Sequence, residues 1–153
     1  MAEHKATIRW HLDGDGFSKG RYSREHTWTF DGGATIAASP APSVIPAPYS
    51  NPAAVDPEEA FVASIASCHM LTFLYVAMRE GFVVERYEDE AVGVMRKNDR
   101  GVAWVARVTL RPRIVYGGDK RPQAGDIEHL HHLAHEQCFI ANSVKTEIRV
   151  EAS

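Results

Sequence analysis

Two thiols carry most of the chemistry open to this sequence, because Cys68 and Cys138 are the only cysteines among its 153 residues. A pair is too few for a disulfide scaffold in a chain long enough to bury its own core. Three roles remain: a reactive pair, metal ligands, or two unrelated buried side chains. Cys68 falls inside the apolar run Phe61-Val62-Ala63-Ser64-Ile65-Ala66-Ser67-Cys68. A thiol in mid-helix gains nothing from the helix N-terminus, whose field fades within a turn, and burial alone makes a thiol inert. Reactivity at Cys68 therefore requires a cation from elsewhere. Arg24 is the candidate, in line with Tyr22, His26, Trp28 and Phe30 on one face of an alternating segment. An inward guanidinium needs an anion beside it. Arg21 lies on the opposite face and ranks below Arg24.

Glu58 is the candidate anion, in a first helical turn where a carboxylate also suits the dipole. It precedes Cys68 by ten residues, or about 15 Å of helix axis. The two cannot touch within one straight helix. They can meet through an arginine if two copies of the helix cross antiparallel in a dimer.

Cys138 has competing company. His131, His135 and Cys138 are spaced i, i+4, i+7, and imidazole and thiolate both bind zinc well. No closed-site spacing such as CxxC is present, and His129, His131 and His132 scatter around the helix. A zinc protein, a redox protein and a binding module with an apolar pocket and inert cysteines are thus all open at this point.

The elements that must position these residues follow from the pattern. Residues 5–12 form an expected strand, and Asp13-Gly14-Asp15-Gly16 a turn. Residues 21–31 alternate as a second strand, and Asp31-Gly32-Gly33 turns the chain into a third at 34–38. Five prolines between 39 and 56 mark a long irregular loop, of the kind that often carries function. Asp56, Pro57 and Glu59 then start a helix by a capping box, and Gly81 ends it. Its middle is apolar nearly all round, which implies burial. Two long strands at 83–97 and 102–116 turn at Asn98-Asp99-Arg100-Gly101, with Val102, Trp104, Ala106, Val108 and Leu110 on one face. A second helix over 123–140 and a strand over 145–151 complete a single α+β domain spanning 1–153. The first helix is too apolar for one small sheet to cover, so a homodimer is expected.

A net charge of −3 offers nucleic acid or an anionic membrane no electrostatic attraction. No apolar run approaches the ~20 residues of a membrane span, and the N-terminus lacks an apolar signal core. A cytoplasmic location is expected.

The segment Asp56-Pro57-Glu58-Glu59-Ala60-Phe61-Val62-Ala63-Ser64-Ile65-Ala66-Ser67-Cys68 resembles the "NPEELLAAALAAC" segment of the OsmC/Ohr family. His135-Glu136-Gln137-Cys138-Phe139-Ile140-Ala141-Asn142-Ser143 is similar to that family's second motif, and Tyr22-Ser23-Arg24-Glu25-His26 to a Tyr-x-Arg-x-His stretch of its OsmC-like branch. With the element order, the resemblance covers nearly the whole chain. It implies an OsmC-like α+β fold, with an antiparallel sheet and a long buried central helix in an intertwined homodimer. It also implies thiol-dependent reduction of organic hydroperoxides. In that scheme Cys68 is the peroxidatic residue, Cys138 the resolving one, and Glu58 and Arg24 the catalytic ion pair. No cofactor is implied, only an external dithiol reductant, which in Ohr-type members is a lipoylated protein. Three departures stand out: His69 where a Phe is common, Phe139-Ile140 in place of Pro-Tyr, and a loop at 39–56 without the Gly-rich form. Ile45, Tyr49 and Phe61 could favour a greasy peroxide.

Overall fold

A computed structural model describes all 153 residues. The chain forms two compact units, Met1–Ala60 and Phe61–Ser153.

In the first unit, β1 (Ala6–Arg9), β2 (His26–Phe30) and β3 (Thr35–Ala38) make an antiparallel sheet in the order β1-β2-β3. The β2–β3 turn lies where the glycines predict it: Gly33 takes a φ of +94° and donates its N–H to the Phe30 carbonyl. The second strand is shorter than the alternation suggests. Residues 22–25 leave the ladder because their backbone is spoken for elsewhere: the Arg24 N–H donates to the Tyr49 carbonyl and the Trp10 indole donates to the Ser23 carbonyl. Arg24 therefore belongs to a loop and not to a strand face. His26 and Trp28 do share a face, with the Trp28 Nε1–H donating to His26 Nε2 at 3.0 Å. The proline-rich segment is irregular, as expected, and is tied down by buried Ser39, whose Oγ accepts the Asn51 N–H at 2.8 Å.

The long helix α1 (Pro57–Arg79) opens on the box foreseen in the sequence. Asp56 Oδ1 accepts the Glu59 N–H and Glu59 Oε1 accepts the Asp56 N–H, both at 2.8 Å. It closes at Gly81, φ +83°, where the Phe82 N–H reaches back to the Ala77 carbonyl. By length and composition α1 could cross a membrane. This corrects the expectation that no apolar stretch is so long: Ser64, Ser67, His69 and Thr72 interrupt the apolar residues without adding charge. Here α1 packs as a core helix on one stripe: Ile65, His69, Phe73, Val76 and Ala77 are buried, while Leu71, Tyr75 and Met78 stay 61%, 50% and 59% exposed.

In the second unit the two long strands are each broken in two. They become β4 (Val83–Asp89), β5 (Val92–Lys97), β6 (Ala103–Leu110) and β7 (Pro112–Gly117). β4 pairs with β7, and β5 with β6, so the hairpin is one ribbon divided between two sheets. The break lies at Glu90-Ala91 and Arg111, where Asp89 Oδ1 accepts the Arg111 N–H in place of a ladder partner. β8 (Glu147–Val150) joins β6 in parallel, after α2 (Ala124–Gln137) has carried the chain back. A bulge also changes the inward face of β6. Val94 faces Arg107 while Met95 faces Val105, so Ala106 is the extra residue. As a result Val105, Val108 and Leu110 point into the core and Trp104 points out, under the Lys145 ammonium at 4.9 Å. The continuous face expected from Val102 to Leu110 is thus split.

Two apolar clusters hold this unit together. Phe73, Val76, Ala77, Phe82, Leu130 and Ala134 join α1 to α2, and Ile65, Val108 and Leu110 join α1 to β6. Gly93 on β5 lets α1 approach closely, since a Cβ there would sit 2.5 Å from Val62 Cγ2.

Candidate active site: two facing thiols

The second unit brings the two sulfurs together. Cys68 lies midway along α1, and Cys138 is the C-cap of α2, which ends one residue earlier than a helix containing it would. Both thiols are free, and they lie near enough for Cys68 to help raise the Cys138 pKa. Cys138 is 1% exposed, whereas Cys68 is only part-buried. Burial, and then the neighbouring Cys68 thiol, push the Cys138 thiol above its ordinary pKa, against backbone N–H groups of Ala141 and Ile140 that pull it down. The Ala141 N–H stands 3.4 Å from Cys138 Sγ.

The backbone after Cys138 is fixed by its own side chains. Asn142 Nδ2 donates to the Glu136 carbonyl at 2.9 Å and the Cys138 carbonyl at 2.8 Å, and Ser143 Oγ donates to the Phe139 carbonyl at 2.7 Å. These bonds satisfy carbonyls at the end of α2 that the helix leaves open. On α1, Thr72 Oγ1 donates to the Cys68 carbonyl at 2.8 Å. A groove of about 580 Å³ runs over the part-buried thiol, lined by Cys68, Leu71, Thr72, Tyr75, Gln137 and Phe139. Its walls are mostly apolar side chains, suited to a greasy molecule with one polar end.

Behind the thiols lies a feature the sequence reading missed. His69, next to Cys68, is 2% exposed, and its Nε2 is 3.0 Å from Nδ1 of His131, itself 6% exposed. The rings stack at 5.3 Å and 7°, with Phe73 against His131 at 4.4 Å. Burial, followed by the nearby His131 and His135, lowers the His69 pKa from 6.5 to about 4, and burial lowers His131 to about 4. Both rings are therefore neutral at pH 7. His131 Nε2 is buried without a partner, which costs about 1–3 kcal/mol. The available signal was His69 itself, a polar residue at i+4 between Ile65 and Phe73 on the buried stripe. The zinc arrangement does not form: His131 is turned to His69, His132 pairs with Glu136 at 3.2 Å, and no three His, Cys, Asp or Glu side chains converge as ligands.

Arg24 and Glu58 belong to the first unit. The Arg24 guanidinium donates to the carbonyls of Tyr22 at 2.7 Å and Gly20 at 3.2 Å, and lies 3.7 Å from the centre of the Tyr22 ring. Neither Arg24 nor Arg21 forms an ion pair, and Glu58 is in none. The expected Arg24–Glu58 pair is thus not made within this chain. Glu58 sits in the first turn of α1, and its Oε2 is buried with no hydrogen-bond partner.

The chain has an α+β fold whose long helix and second helix hold two free thiols near each other. Residues 50–153 match the family model described as OsmC-like protein. The chain belongs to that family. It is similar over its full length, and over the full length of the other chain, to an OsmC-like protein of unknown function from Vibrio cholerae, with 50% identity and a TM-score of 0.96. The organic hydroperoxide resistance protein OhrB of Bacillus subtilis shares the fold at 20% identity and a TM-score of 0.72, over 99% of this chain and 98% of that one. An organic hydroperoxide resistance protein OsmC from Legionella pneumophila does so at 15% identity and 0.68, over 100% and 96%. Comparison with curated proteins gives no match.

Proposed function

We propose that this protein is a thiol-dependent peroxidase that reduces organic hydroperoxides, with Cys68 as the peroxidatic and Cys138 as the resolving residue. The observation that carries the reading is one part-buried thiol at an apolar groove with one buried thiol near it. A hydroperoxide ROOH entering the groove meets Cys68 first. The Cys68 thiolate attacks the distal oxygen, the O–O bond breaks, and ROH leaves after taking a proton. Cys68 is now a sulfenic acid. The Cys138 thiol displaces its hydroxyl as water and forms the Cys68–Cys138 disulfide. An external dithiol, a lipoylated protein in this reading, then reduces the disulfide and is itself oxidised. No metal or organic cofactor takes part.

Arg24 stabilises the thiolate and Glu58 orients Arg24 by a charge-assisted pair made across a homodimer. Two facts favour this. Arg24 holds only neutral groups in its own chain, and the buried Glu58 Oε2 has no partner. The exposed apolar side chains of α1 favour the dimer, as a second copy of the helix would cover them. Function in a reducing compartment such as the cytoplasm fits two thiols that are free when at rest.

The test is stoichiometric. One equivalent of an organic hydroperoxide should convert the protein to a form lighter by two hydrogens, with the bond mapped to Cys68–Cys138. Cys68→Ser should consume no peroxide. Arg24→Met should slow consumption at least about tenfold, the worth of one charge-assisted contact, and Arg21→Met should not. Full activity in Cys68→Ser would refute the assignment, and two free thiols after peroxide treatment would favour a redox-inert binding module.

A further inference from the structure

We propose that the His69–His131 hydrogen bond is a strut that holds α2 on α1 in the register where Cys138 reaches Cys68, and so governs closure of the disulfide. This rests on the peroxidase reading and adds positioning residues that neither motif contains. The geometry pairs two positions on each helix. On α1 they are consecutive, Cys68 and His69. On α2 they are His131 and Cys138, seven positions and nearly two turns apart, hence on one face. The apolar cluster of Phe73, Val76, Ala77, Phe82, Leu130 and Ala134 holds the helices together, and the imidazole bond adds a directional contact one residue from Cys68.

The surroundings of Cys138 change during turnover, when the Cys68 thiol becomes a sulfenic acid. The next step needs Cys138 Sγ to approach Cys68 Sγ from the side opposite the departing oxygen: the S–O bond breaks, the S–S bond forms, and the Cys138 proton leaves with the hydroxyl as water. Nothing covalent changes at the imidazole pair, which is buried, stacked and backed by Phe73. It keeps α2 in place while the sulfurs react. An apolar pair would fill the same space without leaving His131 Nε2 unpartnered. The polar pair supplies what an apolar contact lacks, a fixed distance and direction.

The experiment separates reach from bulk. His131 uses Nδ1, a position that the Asn side-chain amide reproduces, and His69 uses Nε2, which Gln reproduces and the shorter Asn does not. Expected results are that His131→Leu and His69→Asn slow disulfide closure at least about tenfold, so that a dimedone-trappable sulfenic acid accumulates, and that His131→Asn and His69→Gln restore closure. The initial burst, one peroxide reduced by Cys68, should keep its wild-type rate in all four. A peroxide-free readout accompanies these: in a dithiol redox buffer, His131→Leu and His69→Asn should need a more oxidising mixture to form the disulfide, and the other two should match wild type. Should His131→Leu not fold, the His69→Asn and His69→Gln pair decides alone. Wild-type closure in His69→Asn, or slow closure in His69→Gln equal to that in His69→Asn, overturns the strut. A wild-type protein that consumes no organic hydroperoxide overturns the peroxidase reading instead, and the redox-buffer comparison still judges the strut.

Discussion

Acid should unfold this protein through its buried histidine pair before its carboxylates matter. In the unfolded chain an imidazole binds its proton near 6.5, while in the fold His69 and His131 each do so only at about 4. Between those values the unfolded state binds more protons than the folded one, so stability falls as pH falls. The loss begins near pH 6.5 and is largely complete near pH 4. Integrated from pH 7 to pH 4, one such histidine is worth about 3 kcal/mol, which is large beside a typical total of ~5–15 kcal/mol. Neither ring is exposed enough for solvent to discount this strongly. His131→Asn removes one titrating ring and keeps the hydrogen bond to His69. Urea unfolding at pH 7, 6, 5 and 4 should show the variant losing about 3 kcal/mol less than wild type over that range. Most of the gap should open above pH 4.5, where carboxylates remain ionised. Parallel stability curves for the two proteins would refute the claim that the pair is buried in neutral form.

Other consequences are simpler to read. Gly93→Ala places a methyl 2.5 Å from Val62 Cγ2; it should cost ~1–3 kcal/mol and lower Tm by roughly 2–12 °C, seen by calorimetry. A normal Tm would mean that α1 does not approach β5 as closely as described. Leu71→Asp, at a 61% exposed position on α1, should leave the single chain folded but shift sedimentation from dimer towards monomer. An unchanged sedimentation coefficient would argue against the α1 face as the dimer contact.

Local signals in the sequence were enough for the elements whose causes are local. The capping box at Asp56 and Glu59, the Gly81 stop and the turns at Gly33 and Gly101 each depend on residues a few positions apart, and each stands where expected. The motifs around Cys68 and Cys138 were enough for the family, which the match over residues 50–153 bears out. What depends on distant partners was not legible. Alternation from Tyr22 to Phe30 extends the strand too far, because a carbonyl at Tyr49 takes the Arg24 N–H. The spacing of Val102 to Leu110 puts Trp104 on one face with Val108 and Leu110, because a bulge at Ala106 becomes visible only when β5 is laid against β6. The same holds at the site. Residue types nominate Cys68, Cys138, Glu58 and Arg24, but only the packing of α2 on α1 brings two thiols 70 positions apart near each other and stacks His69 on His131. Periodicity describes how one segment presents its side chains, whereas contact between helices is set by the volumes and hydrogen bonds of both at once.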